Sequence, residues 1–254
     1  MKILGIDVGG TNVKAIYFDG TRLKSFFLPT PKTKAQFSKL LADLFDSCGK
    51  VDRVGFGLPG QVDYFKARVT RIGKLPYLNN LDLKKIVRDL SGNPKIQIKL
   101  DNDVNCHLNA ELKFGVAAKF KNVVMIAIGT GIGGGIAIDG KIYRGSAGSA
   151  GEIGHIILDK GKYYQDLASG KILRSYSPTE IKKVAHYTAQ ACVSMVNVLN
   201  PDVLVLSGGV VHRSKVFQET SKYLKKYGVS SAKNTKVLIS SLGEFGGALG
   251  AAWL

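Results

Sequence analysis

Two short glycine-rich stretches carry the residues best suited to chemistry. They are Asp7-Val8-Gly9-Gly10-Thr11-Asn12 near the start and Gly129-Thr130-Gly131-Ile132-Gly133-Gly134 near the middle. Glycine lets backbone N–H groups approach phosphate oxygens closely, and turn conformations gather those groups into anion-binding hollows. Thr11 and Thr130 add hydroxyl donors. Asp7 ends an apolar run, where its carboxylate can hold Mg²⁺ through water, because magnesium favours one or two carboxylates together with phosphate oxygens. Either stretch alone reads as an ordinary tight turn. Two of them with a strand-end carboxylate read as a clamp for a nucleoside triphosphate.

Other phosphate-binding patterns fail. No G-x-x-x-x-G-K-[ST] is present. Gly129, Gly131 and Gly134 satisfy G-x-G-x-x-G, but a dinucleotide fold needs a helix after that turn, and strand-like residues follow here. The glycine-rich loop of protein kinases is excluded by the lack of V-A-I-K, H-R-D or D-F-G downstream.

The elements that position these residues alternate between strands and helices. Strands are expected at Lys2–Val8, Val13–Phe18, Leu23–Leu28, Val54–Leu58 (stopped by Pro59-Gly60) and Ile96–Leu100, which leads into Asp101-Asn102-Asp103. Helical spacing covers Ala35–Phe45, Asp82–Leu90 and Asn105–Phe114. Further strands are expected at Val123–Ile128, Gly135–Ile138, Val203–Leu206 and Val237–Ile239. A long helix, Pro178–Leu199, opens with Ser177 as N-cap and Pro178 at its first position, and Asn200-Pro201 ends it. Helices near Lys215–Tyr227 and Gly246–Trp253 complete an α/β pattern. At an offset of 120 residues, Gly5–Gly20 aligns without gaps with Met125–Gly140, with five identities in sixteen positions. This suggests two halves built on one plan, although five matches in a glycine-rich chain do not alone exclude chance.

Composition bounds the remaining classes. The 254 residues are 45% hydrophobic, enough for a large core. No apolar run approaches the ~18 residues of a membrane helix, and the start reaches Asp7 too early for a signal peptide, so the cytoplasm is the expected location. Cys48, Cys106 and Cys192 fit no paired spacing and read as reduced, partly buried thiols. The net charge of +17 suits polyanions. The lysines are scattered, however, with short clusters only at Lys182-Lys183 and Lys225-Lys226 and no nucleic-acid-binding motif, so the reading is a solvated basic surface without nucleic acid or membrane as partner.

Six short motifs follow in a telling order. They are Asp7 to Asn12, Leu58-Pro59-Gly60-Gln61-Val62-Asp63, Asp101-Asn102-Asp103-Val104-Asn105, Gly129 to Gly134, Gly151-Glu152-Ile153-Gly154-His155 and Leu206-Ser207-Gly208-Gly209-Val210. Together they resemble the ROK family of sugar kinases and repressors, within the actin-like, ribonuclease-H-type superfamily, over nearly the whole chain. The resemblance implies two α/β domains with a cleft between them: residues 1–101 completed by the C-terminal helix 244–254, and residues 102–243. It implies ATP and Mg²⁺ as cofactors and a hexose as acceptor, glucose first.

By the same resemblance, Asp103 is the catalytic base, its alternative role being a helix N-cap. Gly60, Asn102, Gly134, Glu152 and His155 would surround the sugar. Gly9, Gly10, Thr11, Asn12, Lys14, Gly129, Thr130, Gly131, Gly208 and Gly209 would contact the nucleotide. Many relatives carry a C-x-C-G-x-x-G-C zinc cluster shortly after E-I-G-H. Ile156 to Asp166 contains no cysteine, so no zinc is expected. The relatives' glutamate after that cluster aligns with Gln165 or Asp166. The short loop is similar to that of polyphosphate-using glucokinases, which keeps polyphosphate open as donor, and a kinase for another hexose or N-acylhexosamine stays open too. A homodimer is also open. A repressor is disfavoured, because repressors of the family place a helix-turn-helix domain before the phosphate strand, which here begins at Lys2.

Overall fold

The computed structural model describes residues 1–73, 75–79, 81–173, 175–213, 215–230 and 232–254. Strands and helices alternate as the sequence leads one to expect. The first half runs β1 (Ile3–Val8), β2 (Asn12–Phe18), β3 (Leu23–Pro29), α1 (Lys34–Cys48), β4 (Arg53–Leu58), β5 (Gln61–Asp63), β6 (Arg68–Arg71), α2 (Leu83–Ser91), β7 (Gln97–Asn102) and α3 (Asp103–Phe114). The second runs β8 (Val123–Ile128), β9 (Ile132–Ile138), β10 (Lys141–Ile142), α4 (Tyr164–Ala168), α5 (Pro178–Leu199), β11 (Val203–Ser207), α6 (Gly209–Arg213), α7 (Val216–Tyr227), β12 (Lys236–Ile239) and α8 (Gly246–Ala252). Two compact units result: Met1–Ala110 with Ser146–Gly148 and Glu244–Leu254, and Glu111–Gly145 with Ser149–Gly243.

In the first unit the sheet order is β3-β2-β1-β4-β7, antiparallel up to β1 and parallel from β1 onward. Its core gathers Leu4, Ile6, Phe37, Leu41, Phe56 and Leu100 from the sheet and α1. Thr33 caps α1 by accepting from the Gln36 N–H, and Asp82 caps α2 through the Lys85 N–H. Helix α8, Gly-Gly-Ala-Leu-Gly-Ala-Ala, lies backbone to backbone on β1 and β4. A Cβ on Gly5 would overlap the Ala248 carbonyl, and one on Gly55 the Ala251 carbonyl. Only a helix of small residues facing strand glycines can sit that close.

The second unit repeats the plan as β10-β9-β8-β11-β12, with the same change from antiparallel to parallel. Its core joins Val124, Ile126, Val184, Cys192, Leu204 and Leu206. The offset of 120 carries the bounds of β1 and β2 onto those of β8 and β9, so the aligned sequence segments occupy matching places. The hairpins differ in one detail. Val8 pairs with Val13 but Ile128 with Ile132, so the second turn is one residue tighter. Ser177 and Glu180 form a complete capping box at the start of α5, and Asn200 closes the helix in the left-handed conformation. Several expected boundaries move by one to three residues, and two of these shifts bear on the site. β9 starts at Ile132 rather than Gly135, because Gly133 and Gly134 pair with β8. α3 starts at Asp103 rather than Asn105, for a reason given below. Among the described residues no helix is long and apolar enough to cross a membrane.

Candidate functional site

Strands β1, β4 and β7 place Asp7, Gly57 and Asp101 side by side in register. The chain leaving their carboxyl ends supplies the Gly9–Asn12 turn, Pro59-Gly60 and Asn102-Asp103. Ligands of open α/β sheets gather at such ends. Lys14 stands opposite Asp7 on β2, with its ammonium 4.0 Å from Glu244. Asp7 is partly buried. Burial, and then the charge of Asp103, push its carboxyl up to about 7, while Lys14 pulls the other way. Gly247 leaves room for this side chain, since a Cβ there would stand 2.5 Å from Asp7 Oδ2.

The junction of β7 and α3 is densely hydrogen-bonded. Asn102 Oδ1 accepts from the N–H groups of Val104 (2.9 Å) and Asn105 (3.4 Å), which starts the helix one residue after it. Capping is therefore chiefly the work of Asn102, and Asp103 occupies the first helical turn, where its Oδ1 also meets the Val104 N–H at 2.9 Å. Asn102 Nδ2 donates to the Gly60 carbonyl at 3.2 Å. Gly60 holds φ +85° with the Arg71 carbonyl where a Cβ would stand, so the residue must be glycine. Sequence reasoning gave Asp101 and Asn105 no separate role. Asp101 is buried and accepts from the Asn102 N–H (2.8 Å) and Asn105 Nδ2 (3.0 Å). Asn105 Oδ1 is buried without a partner among the described residues. The neighbouring turn is closed by Gly9 N–H to the Asn12 carbonyl (3.0 Å) and by Thr30 Oγ1 to the Gly9 carbonyl (2.7 Å), leaving Gly10 and Thr11 exposed.

In the second unit the Gly129–Gly131 turn follows β8, closed by Gly129 N–H to the Gly131 carbonyl at 2.9 Å, with Gly129 and Thr130 exposed. Gly170 N–H donates to the Gly129 carbonyl at 2.8 Å. Gly208, at φ +95° after β11, passes under the Ile128 carbonyl where no side chain fits. Gly209 opens α6, a helix the sequence reading did not foresee. A second cluster lies by β9. Gly134 is buried beneath Ile153, which fixes the short turn Ile153–His155. There His155 Nδ1 lies 3.1 Å from Glu152 Oε2, and His155 Nε2 lies 3.3 Å from Gln165 Nε2 on α4. Of the two residues expected at that position, Gln165 is the one against His155, and Asp166 is exposed. Cys48, Cys106 and Cys192 are all buried thiols outside any disulfide, more deeply placed than expected, and burial pushes the Cys192 thiol up to about 12. A hollow of about 640 Å³ lies at the amino ends of β8, β11 and β12, lined by residues such as Asn122, Asp202 and Thr235 and by none of the candidate site residues.

Two sheets of one plan, each with glycine turns at the carboxyl ends of its strands and the first with Asp7 and Asp101 there as well, define the two-domain actin-like α/β fold. The pattern of the ROK family fits residues 3–172 and 174–254, and the chain belongs to that family. It is 27% identical over 301 residues to an N-acetyl-D-glucosamine kinase of Haemophilus influenzae, covering 98% of each chain. It is similar to the crystal structure of a ROK hexokinase from Thermus thermophilus, at 25% identity and TM-score 0.80, with 99% and 97% of the two chains covered. A ROK family glucokinase from Streptomyces griseus, solved with glucose and AMPPNP, shares the fold at 23% identity and TM-score 0.84, with 99% and 98% covered.

Proposed function

We propose that the chain transfers the terminal phosphoryl group of ATP to a hydroxyl of a hexose or hexosamine. The observation that carries this reading is the Asp7–Asp103 pair, two carboxylates whose charges oppose each other beside a glycine turn. A divalent cation relieves that repulsion. Asp7 fits Mg²⁺, which when bound neutralises charge on the donor's phosphates. Asp103 accepts the proton of the attacking hydroxyl as the sugar oxygen bonds to phosphorus and the bond to the leaving diphosphate breaks. Asn102 holds Gly60 and the start of α3 together, and its amide keeps a second N–H for a sugar hydroxyl.

Gly134 supports Glu152 and His155, which face the sugar. Gly9, Gly10, Thr11, Asn12, Lys14, Gly129, Thr130 and Gly131 serve the phosphates, and Gly208 and Gly209 the nucleoside. Glucose and N-acetyl-D-glucosamine are the first acceptors to try, since relatives carry both names. A second donor, inorganic polyphosphate, is favoured by the net charge of +17. Zinc has no part in the proposal: His155 meets a carboxylate and an amide, and Ile156 to Asp166 offers no thiolate. Calorimetric titration with glucose and with N-acetyl-D-glucosamine is expected to show binding of at least one. Binding of neither, nor of mannose or N-acetyl-D-mannosamine, with or without AMPPNP, overturns the proposal.

The raised carboxyl of Asp7 gives a signed pH effect. Its folded value, about 7, lies above the unfolded 3.8, so the folded state holds the proton more tightly. Its contribution to stability is complete below the unfolded value and is lost as pH rises through about 7. In metal-free buffer the advantage of wild type over Asp7→Asn therefore shrinks between pH 5 and about 7.5. A difference between their thermal midpoints that does not vary over that range would contradict the Asp7 environment described here.

A further inference from the structure

We infer that Gln165 is a positioning residue that fixes the tautomer and orientation of His155, a task it performs without a metal ion, and the inference rests on the sugar-kinase reading of the same site. Glu152 is a carboxylate and can only accept, so the 3.1 Å contact requires the proton on His155 Nδ1. In a neutral ring Nε2 is then an acceptor and needs a donor. Gln165 Nε2, at 3.3 Å, is that donor. Carboxylate, imidazole and amide thus form one consistent chain, in which each hydrogen bond determines the direction of the next. A carboxylate at position 165 could bind the ring only by making it an imidazolium. A neutral amide avoids that extra charge.

The local fold delivers Gln165 to this place. Ile156 to Tyr164 is a tight hairpin: Leu158 N–H meets the Lys162 carbonyl (3.0 Å), Tyr164 N–H meets the Ile156 carbonyl (2.7 Å), and Ile157 bridges Tyr163. The chain turns back within ten residues and starts α4 with Tyr164 buried and Gln165 against the ring. Tyr163 stands edge-on to His155 at 5.5 Å and 74°, so the imidazole is held on three sides. Glu152, anchored through Oε2, is left to offer Oε1 to a ligand hydroxyl. His155 and Glu152 are about half exposed, so their order comes from these bonds rather than from burial.

The test is ¹⁵N NMR of the imidazole nitrogens in the ligand-free protein, with His155 assigned by comparison with His155→Gln. Wild type is expected to show the Nδ1–H tautomer with Nε2 unprotonated. Gln165→Ala should relax to a mixture of tautomers. Gln165→Glu, the same size but able only to accept, should protonate both nitrogens near neutral pH. For whichever of glucose and N-acetyl-D-glucosamine is phosphorylated, Gln165→Ala should raise KM about 3- to 10-fold, the loss of about one hydrogen bond, and leave kcat within about twofold. An Nε2–H tautomer in wild type, or spectra unchanged in both variants, overturns the inference. A wild type that phosphorylates neither of these sugars, nor mannose or N-acetyl-D-mannosamine, yet shows the expected tautomer would instead count against the kinase reading, because the spectra are read without substrate.

Discussion

Asp103→Asn is expected to lower kcat by about 10²–10⁴-fold, the usual contribution of a general base. The substitution keeps the size of the side chain and removes its ability to take a proton. Sugar affinity should change far less, because Asn102, Glu152 and His155 remain. The structure removes the competing explanation for a large effect. Asn102 caps α3 by accepting from Val104 and Asn105, so the helix keeps its start when Asp103 changes. Loss of the Asp103 charge should also let the Asp7 carboxyl fall back toward its ordinary value, since that charge is the second cause of its elevation. Steady-state kinetics with circular dichroism as a fold control measures this. A variant with near-normal kcat would mean that another group accepts the proton.

The largest expected loss of stability is at Glu111. This residue is fully buried on α3, eight positions after Asp103. Its Oε1 accepts from Ser240 Oγ (2.6 Å) and from the N–H groups of Ser241 (3.0 Å) and Leu242 (3.2 Å), and its Oε2 accepts from Val116 N–H (2.8 Å). One carboxylate thereby holds the turn after α3 and the segment after β12. Gly115 makes this possible, because a Cβ there would overlap Oε2. Glu111→Ala strands several donors away from water and opens a cavity, and breaking such a buried network costs about 3–5 kcal/mol. For a chain of this size that lowers the thermal midpoint by roughly 10 °C. Glu111→Gln should fall between the two, since its amide nitrogen cannot accept from a backbone N–H. A midpoint within about 2 °C of wild type for Glu111→Ala would contradict the network.

What the sequence revealed, and what it hid, follows from range. Strands and long helices were legible because their signals are local: the apolar runs of β1 and β8, the Ser177–Glu180 box of α5, the small residues of α8. The repeat at 120 residues was visible as letters, and the matching bounds of β1, β2, β8 and β9 give it a structural meaning. The junction at Asn102 was misread by two residues, because Asp103 and Asn102 are both good caps and only geometry decides between them. Glu111 was invisible as a hub. On a helix its letter looks like a solvated face, and its partners at 240–242 lie some 130 positions away. The Glu152–His155–Gln165 chain was half legible, since the residues were named but not the direction of their hydrogen bonds. Helix α6 and the β5–β6 hairpin went unread because they are too short for periodicity to register.

The central claim is phosphoryl transfer to a hexose or hexosamine, and one measurement bears on it most directly. ADP release is followed over a panel that includes glucose, mannose, N-acetyl-D-glucosamine and N-acetyl-D-mannosamine, with ATP and with or without Mg²⁺, and sugar-phosphate formation is followed with polyphosphate as donor. The expected result is sugar-dependent turnover of at least one member that disappears on chelation of Mg²⁺ and falls sharply in Asp103→Asn. No turnover of any member with either donor, from folded protein with Mg²⁺ present, would contradict the account.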